Sequence, residues 1–100
     1  MIKLNIGGQI YVSSNETLSR SPFFVGLLRS DPLAEVHCVD RDPTFFRWIL
    51  NFMRGSSVVP TEKNIYDQVK FEADFYCINI PEYNHYQGLE FELQKISSRI

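Results

Sequence analysis

The chain has 100 residues, of which 44% are hydrophobic and 14% aromatic, which suits one folded domain and excludes a disordered chain. Its formal net charge is −2 and its basic residues do not cluster, so we expect no nucleic-acid partner. The longest near-continuous apolar run, residues 23–28, is too short to cross a bilayer, so we expect no direct membrane insertion. Two cysteines and the lack of a signal-peptide pattern at the first residues predict a cytoplasmic protein with free thiols.

The first residues predict a β-hairpin. Apolar side chains at every second position predict one strand over residues 2–6 and a second over residues 10–13. Gly7-Gly8 lies between them and suits a tight turn that needs positive φ.

Two helices and a third strand follow. Either Ser14 or Asn15 can cap a short helix over residues 16–19. Pro22 starts a second helix that extends to Arg29 and stops before Pro32. Residues 36–39 predict another strand.

Residues 40–55 specify a complete helix. Asp42 suits the N-cap, Pro43 the first helical position and Gly55 the end. The polar residues fall on one stripe of this helix: Thr44, Arg47, Asn51 and Arg54. The other positions are apolar or aromatic, so the helix needs cover on more than one side, and another subunit can supply part of it.

The last forty residues predict two more helices. Ile65, Val69 and Ala73 recur at helical spacing in a helix that opens near Thr61. Residues 81–100 predict a C-terminal helical extension, packed on its own domain or on a neighbour, with this apolar stripe: Leu89, Leu93, Ile96 and Ile100. Strands mixed with helices in one small core indicate an α/β (α+β) fold.

Five short motifs occur in a characteristic order. They are Asn5-Ile6-Gly7-Gly8, Thr17-Leu18-Ser19-Arg20-Ser21-Pro22, Asp40-Arg41-Asp42, residues 46–55, and Glu72-Ala73-Asp74-Phe75-Tyr76. In this order and at these separations they resemble the BTB/POZ-type tetramerisation (T1) domain of voltage-gated potassium channels. They are closer still to the potassium-channel-tetramerisation-domain (KCTD) proteins, which are soluble.

The resemblance implies a fold and an assembly. It implies a single BTB/POZ-like domain over residues 2–80, in which a small mixed sheet with a β-hairpin packs against a cluster of short helices. It also implies a protein–protein interaction module that drives homo-oligomerisation into a closed ring through polar head-to-tail contacts, as a homotetramer or homopentamer. The polar subunit contact would be made by Asn5, Gly7, Gly8, Asp40, Arg41, Asp42 and Arg54.

The hydrophobic pattern also predicts which side chains fill the core. The expected core residues are Leu4, Ile6, Leu18, Leu28, Phe46, Trp48, Ile49, Leu50 and Phe75. Cys38 and Cys77 are expected to be small core residues as well.

The resemblance leaves two alternative functions open. In the KCTD group such rings often serve as substrate-receptor adaptors of a cullin-3 ubiquitin ligase. In channels the same domain is the cytoplasmic assembly domain and precedes membrane helices.

Metal binding and catalysis are not expected. The zinc candidates are His37, Cys38, Cys77 and His85, but the first two are adjacent on a predicted strand and point to opposite faces. The same alternation argues against a cysteine–histidine catalytic pair, and Gly7-Gly8 fits no phosphate-binding loop. We therefore expect no cofactor and no enzymatic activity.

Overall fold

The structure, a computed structural model, describes residues 1–83. In this part of the chain the elements are β1 (Ile2–Ile6), β2 (Gln9–Ser13), α1 (Asn15–Leu18), α2 (Pro22–Ser30), β3 (Val36–Val39), α3 (Phe46–Met53) and α4 (Lys63–Phe75). The predicted α/β fold class is confirmed. Most of the helix predicted for residues 81–100 lies outside the described residues.

The three strands form one mixed sheet in the order β2-β1-β3. β1 and β2 are antiparallel, with Leu4 opposite Tyr11, and Gly7-Gly8 forms the two-residue turn between them. β3 lies parallel to β1, with Leu4 opposite His37. The parallel pairing requires a long crossover, which α1 and α2 supply.

Alternation along β3 corrects one expectation. His37 and Val39 are buried, whereas Cys38 is exposed on the other face of the sheet. Cys77 follows the last turn of α4 and is exposed too. The expectation that both cysteines are small core residues is wrong, because Cys38 lies on the exposed face of β3 and Cys77 lies in the exposed turn after α4.

The core lies between the inner face of the sheet and the helices. Tyr76 stacks on Phe24 with ring centroids 5.3 Å apart and planes 9° apart, and Phe46 meets both rings edge-on. Among the predicted core residues the buried ones are Leu4, Ile6, Leu18, Phe46, Ile49 and Leu50. Three are only half-buried and pack at the margin of the core: Leu28, Trp48 and Phe75.

The ordered α-helix of residues 46–53 begins later than predicted. The Asp42 carboxylate accepts hydrogen bonds from the Thr44 N–H (2.9 Å) and hydroxyl (2.5 Å), and so closes a local turn. The next turn is tight, since the Phe46 N–H donates to the Pro43 carbonyl at 3.0 Å, three residues back. The assignment of Asp42 as the cap of α3 is therefore wrong: Phe45 stands at the N-cap without a side-chain hydrogen bond.

Two helices end in the same way. After α3, Gly55 has φ +101° and the Ser56 N–H donates to the Asn51 carbonyl at 3.0 Å. After α4, the Ile78 N–H donates to the Ala73 carbonyl at 3.0 Å, and Cys77 has φ +59°. Both are Schellman motifs, but only the first has glycine at the left-handed position.

Cys77→Gly should therefore stabilise the fold. A side chain at positive φ costs about 1 kcal/mol, and we expect the free energy of unfolding to rise by about 0.5–1 kcal/mol. The matched control is Gly55→Ala, where an added Cβ would meet its nearest atom, Nη1 of Arg20, at 3.6 Å without a clash. That variant should lose about 1 kcal/mol. Urea denaturation measures the free energy of unfolding of both variants. A Cys77→Gly variant less stable than wild type would contradict the left-handed conformation assigned to residue 77.

Candidate interaction surface

The carboxyl end of β3 and the hairpin turn meet at one exposed corner of the sheet. The Gly7 N–H donates to the Val39 carbonyl at 2.9 Å, which continues the parallel pairing past the end of β1. The Arg41 N–H donates to the same carbonyl at 3.0 Å, so the chain turns sharply after β3. We call this corner, formed by the following six residues, the polar corner: Asn5, Gly7, Gly8, Asp40, Arg41 and Asp42.

The close approach of two backbones builds the polar corner. Gly7 (φ +54°) and Gly8 (φ +101°) both have positive φ, as a two-residue hairpin turn requires if it is to match the right-handed twist of the strands. A Cβ on Gly7 would lie 2.1 Å from the Arg41 carbonyl oxygen, whereas a Cβ on Gly8 would meet nothing within 4 Å. Gly7 is thus required for packing as well as for its φ, whereas Gly8 is required for its φ alone.

The Asn5 side chain completes the turn. Its Oδ1 accepts a hydrogen bond from the Gly8 N–H at 2.7 Å. This bond holds the turn from one side while Val39 holds it from the other. Because the Asn5 oxygen is used locally, the amide nitrogen is the polar group that this side chain offers outward.

Arg41 turns inward towards α4. Its guanidinium forms an ion pair with Glu72 and lies over the Phe75 ring, with Cζ 4.0 Å from the ring centroid. The exposed fractions of the two charged side chains are 24% and 11%, so the pair is largely shielded from water. Arg41 therefore fixes the polar corner from within its own chain.

The ion pair sits beside a buried tyrosine. Burial raises the pKa of Tyr76, and the nearby Glu72 carboxylate adds to the rise. The folded state thus keeps this phenol neutral, so the stability it contributes is present below the ordinary pKa of about 10 and is lost as pH rises through the higher folded pKa.

The two aspartates of the polar corner face outward. Asp40 is exposed, and among residues 1–83 no side chain forms a hydrogen bond or ion pair with it. Asp42 is exposed too, and hydrogen bonds from Thr44 lower the pKa of its carboxyl. Both carboxylates are therefore accessible to a neighbouring molecule.

Arg54 lies apart from the polar corner. It stands at the C-cap of α3, and its Nη2 donates to the Val12 carbonyl at 3.3 Å near the far end of β2. The structure thus brings six of the seven residues predicted for the subunit contact together, and leaves Arg54 at the opposite end of α3.

Sequence reasoning missed two polar residues that hold the surface in place. Glu72 is the partner of Arg41, and only its place in the five-motif series singled it out. Ser21 is completely buried, accepts from the Phe24 N–H at 3.2 Å and donates to the Tyr76 carbonyl at 2.7 Å. Its position directly before Pro22 was the available signal for a helix cap.

Within residues 1–83 there is no group of three side chains that could hold a metal ion. In the same part of the chain, no helix is long and apolar enough to span a bilayer.

Comparison with known proteins identifies the class of domain that this fold represents. The profile of the BTB/POZ domain family matches residues 2–85, and the chain belongs to that family. Its relatives include KCTD5 of Homo sapiens, 33% identical over 86 residues, which are 77% of this chain and 37% of the relative. KCTD21 of Homo sapiens is 35% identical over 102 residues, covering 94% of this chain and 39% of the relative.

A third relative, KCTD17 of Homo sapiens, is 33% identical over 85 residues, which are 77% of this chain and 27% of the relative. All three are described as BTB/POZ domain-containing proteins, and the chain is a KCTD-like BTB domain. It spans well under half the length of these relatives. The family consists of protein-interaction domains, so protein–protein interaction is the function of this class.

The two glycines of the turn should differ sharply in their tolerance of a side chain. Gly8→Ala adds a methyl group to open space and should cost about 1–2 kcal/mol of folding free energy, because only its positive φ is strained. Gly7→Ala places the same methyl against the Arg41 backbone, so we expect a larger loss, about 3 kcal/mol or more. Equal losses in urea denaturation would show that the backbones do not approach as described.

A double-mutant cycle on Arg41→Ala and Glu72→Ala should reveal coupling. Removing either partner leaves a shielded charge, so we expect each single change to cost about 2 kcal/mol and the coupling energy to be about 1–2 kcal/mol. The control cycle is Lys70→Ala with Asp74→Ala, an exposed pair on the same helix, which should couple by less than about 0.5 kcal/mol. Similar coupling in both cycles would contradict the shielded character of the Arg41–Glu72 pair.

Proposed function

We propose that this domain associates with copies of itself into a closed ring, in which the polar corner of one subunit meets a different face of the next. The observation that carries the proposal is the polar corner itself. Three separate sequence motifs are held together there by the hairpin turn, the end of β3 and the ion pair to α4. A head-to-tail contact of this kind closes into a ring when the rotation between neighbours allows it.

The residues of the polar corner divide into two roles in this proposal. Gly7, Gly8 and Arg41 shape the surface, since they are engaged within the chain. Asp40, Asp42 and the Asn5 amide face outward and would accept or donate hydrogen bonds across the contact. Burial of such groups stabilises a contact only when they are paired, so the neighbour must present donors to the two carboxylates.

We propose four or five subunits, and favour five. The reason is that the chain resembles KCTD proteins more than it resembles channels. The resemblance implies that several KCTD rings are pentameric. Two half-buried aromatic side chains of α3, Trp48 and Phe52, would gain further cover in such an assembly. The setting proposed for this ring is the cytoplasm.

A second candidate function is adaptor in a cullin-3 ubiquitin ligase. It needs the ring and an additional surface. One observation favours it: Leu33 is 91% exposed in the loop between α2 and β3, at the end of β3 opposite to the polar corner. In this proposal the exposed Leu33 side chain forms part of the additional contact surface. A pull-down with purified cullin-3, comparing wild type with Leu33→Asp, separates the adaptor from a module that only assembles with itself.

The channel-assembly alternative requires membrane helices elsewhere in a longer parent chain. It is tested by subunit number, because channels use four. A discrete tetramer in native mass spectrometry would favour it over the KCTD-like arrangement.

Asp40→Ala should weaken the ring without disturbing the subunit. Asp40 has no partner in the described part of its own chain, so far-ultraviolet circular dichroism should be unchanged while the oligomer dissociates at a concentration about tenfold higher or more, equivalent to about 1.4 kcal/mol. Native mass spectrometry over a dilution series measures this. The control is Glu35→Ala, an exposed acid at the other end of β3.

Two results would contradict the proposal. A wild-type chain that is monomeric at every concentration would remove self-association altogether. A ring that dissociates identically in Asp40→Ala and wild type would leave self-association standing but move the contact away from the polar corner.

A further inference from the structure

An open groove runs between the free edge of β2 and α3. Its volume is about 750 Å³, and β2 forms one wall. The other wall and the floor come from the turn before α3 and from the helix. The side chains on that side are Pro43, Thr44, Arg47, Leu50 and Arg54.

The edge of β2 carries unpaired backbone groups. The turn has two residues, so Ile6 and Gln9, which flank it, form a hydrogen-bonded pair, and the pairs along the hairpin then alternate. Ile10 and Val12 therefore direct their N–H and C=O groups away from β1, towards the groove. The bond from Arg54 to the Val12 carbonyl agrees with this direction.

The groove is positively charged at both ends. Arg47 and Arg54 are exposed and lie two helical turns apart, about 10 Å along the axis. The three ion pairs of the described residues involve Arg41, Lys63 and Lys70, and neither Arg47 nor Arg54 takes part in one. Two guanidinium groups that lack an ion-pair partner in the described residues, beside a free strand edge, are suited to carboxylates on an extended chain.

We infer that this groove binds an extended acidic segment of a partner protein, which adds to β2 as a fourth strand of the sheet. Main-chain hydrogen bonds to Ile10 and Val12 supply the pairing. Side chains on one face of the added strand point over α3, where acidic residues meet Arg47 and Arg54. Side chains on the other face lie beside Ile10 and Val12, which are 55% and 41% exposed, and these positions favour apolar residues.

The Arg54 side chain also protects the free edge of β2 from unspecific strand pairing. Arg54 covers the Val12 carbonyl and places a charge at the edge, which discourages pairing with uncharged strands. An incoming carboxylate draws the Arg54 guanidinium away and exposes the carbonyl for pairing. Acidic segments are thereby selected over neutral ones.

The test uses the full chain and a short fluorescein-labelled peptide in which glutamate alternates with valine. Fluorescence polarisation should show saturable binding that weakens as salt is raised. Replacing the glutamates with glutamine, or combining Arg47→Ala with Arg54→Ala, should weaken binding about tenfold. Arg29→Ala, an exposed arginine in the last turn of α2, should leave binding unchanged.

A peptide with the same side chains and a methylated backbone isolates the strand pairing. It keeps the charges but cannot donate main-chain hydrogen bonds, so it should bind about tenfold more weakly or not at all. Equal affinity would overturn strand addition. Absence of binding at about 1 mM peptide, or an equal loss in Arg29→Ala, would overturn the assignment as a whole.

Native mass spectrometry of the same mixture identifies the occupant. Peptide bound to an oligomer of unchanged size supports a separate partner. An oligomer that dissociates as peptide binds would show that a second copy of this chain fills the groove, and would overturn the partner assignment while leaving self-association intact.

Discussion

The ion pair between Arg41 and Glu72 is the constraint on which the rest of the surface depends. Arg41 follows a strand at one edge of the sheet, and Glu72 lies on a helix packed across the core. The Phe75 ring beneath the guanidinium excludes water from one side of the pair, which strengthens its electrostatic attraction. A single side chain therefore links the loop after β3 to α4, and the Arg41 backbone in turn limits Gly7 to a residue without a side chain.

This arrangement gives a physical account of the family motifs. Gly7 of the first motif has no room for a side chain because the Arg41 backbone of the third motif lies against it, and Glu72 of the last motif is the ion-pair partner of Arg41. Arg20, from the second motif, donates to the Met53 carbonyl at 3.0 Å and so satisfies the end of α3. Each motif is thus one half of a contact whose other half lies in a different motif.

Much of the fold could be predicted from local pattern. Alternating hydrophobic residues, proline and glycine act over a few residues only. They therefore predict the hairpin, the third strand and the ends of α2 and α3. The start of α3 could not be predicted in this way, because Asp42 is a residue type that often caps helices but here accepts a hydrogen bond from Thr44 in a separate turn. The inward orientation of Arg41 and the exposure of both cysteines could not be predicted from local pattern either. They depend on how segments that are distant in sequence pack against one another.

The parallel pairing of β1 with β3 has a consequence for the order in which the domain is completed. The hairpin brings together residues close in sequence, whereas β3 pairs with β1 across a long segment that contains β2, α1 and α2, so closing this loop costs more conformational entropy. A chain that has formed its hairpin alone has glycines in the turn but no Val39 carbonyl against them and no aspartates beside them. The polar corner therefore exists only on a finished subunit, and any assembly that depends on it excludes incomplete chains without a separate means of inspection.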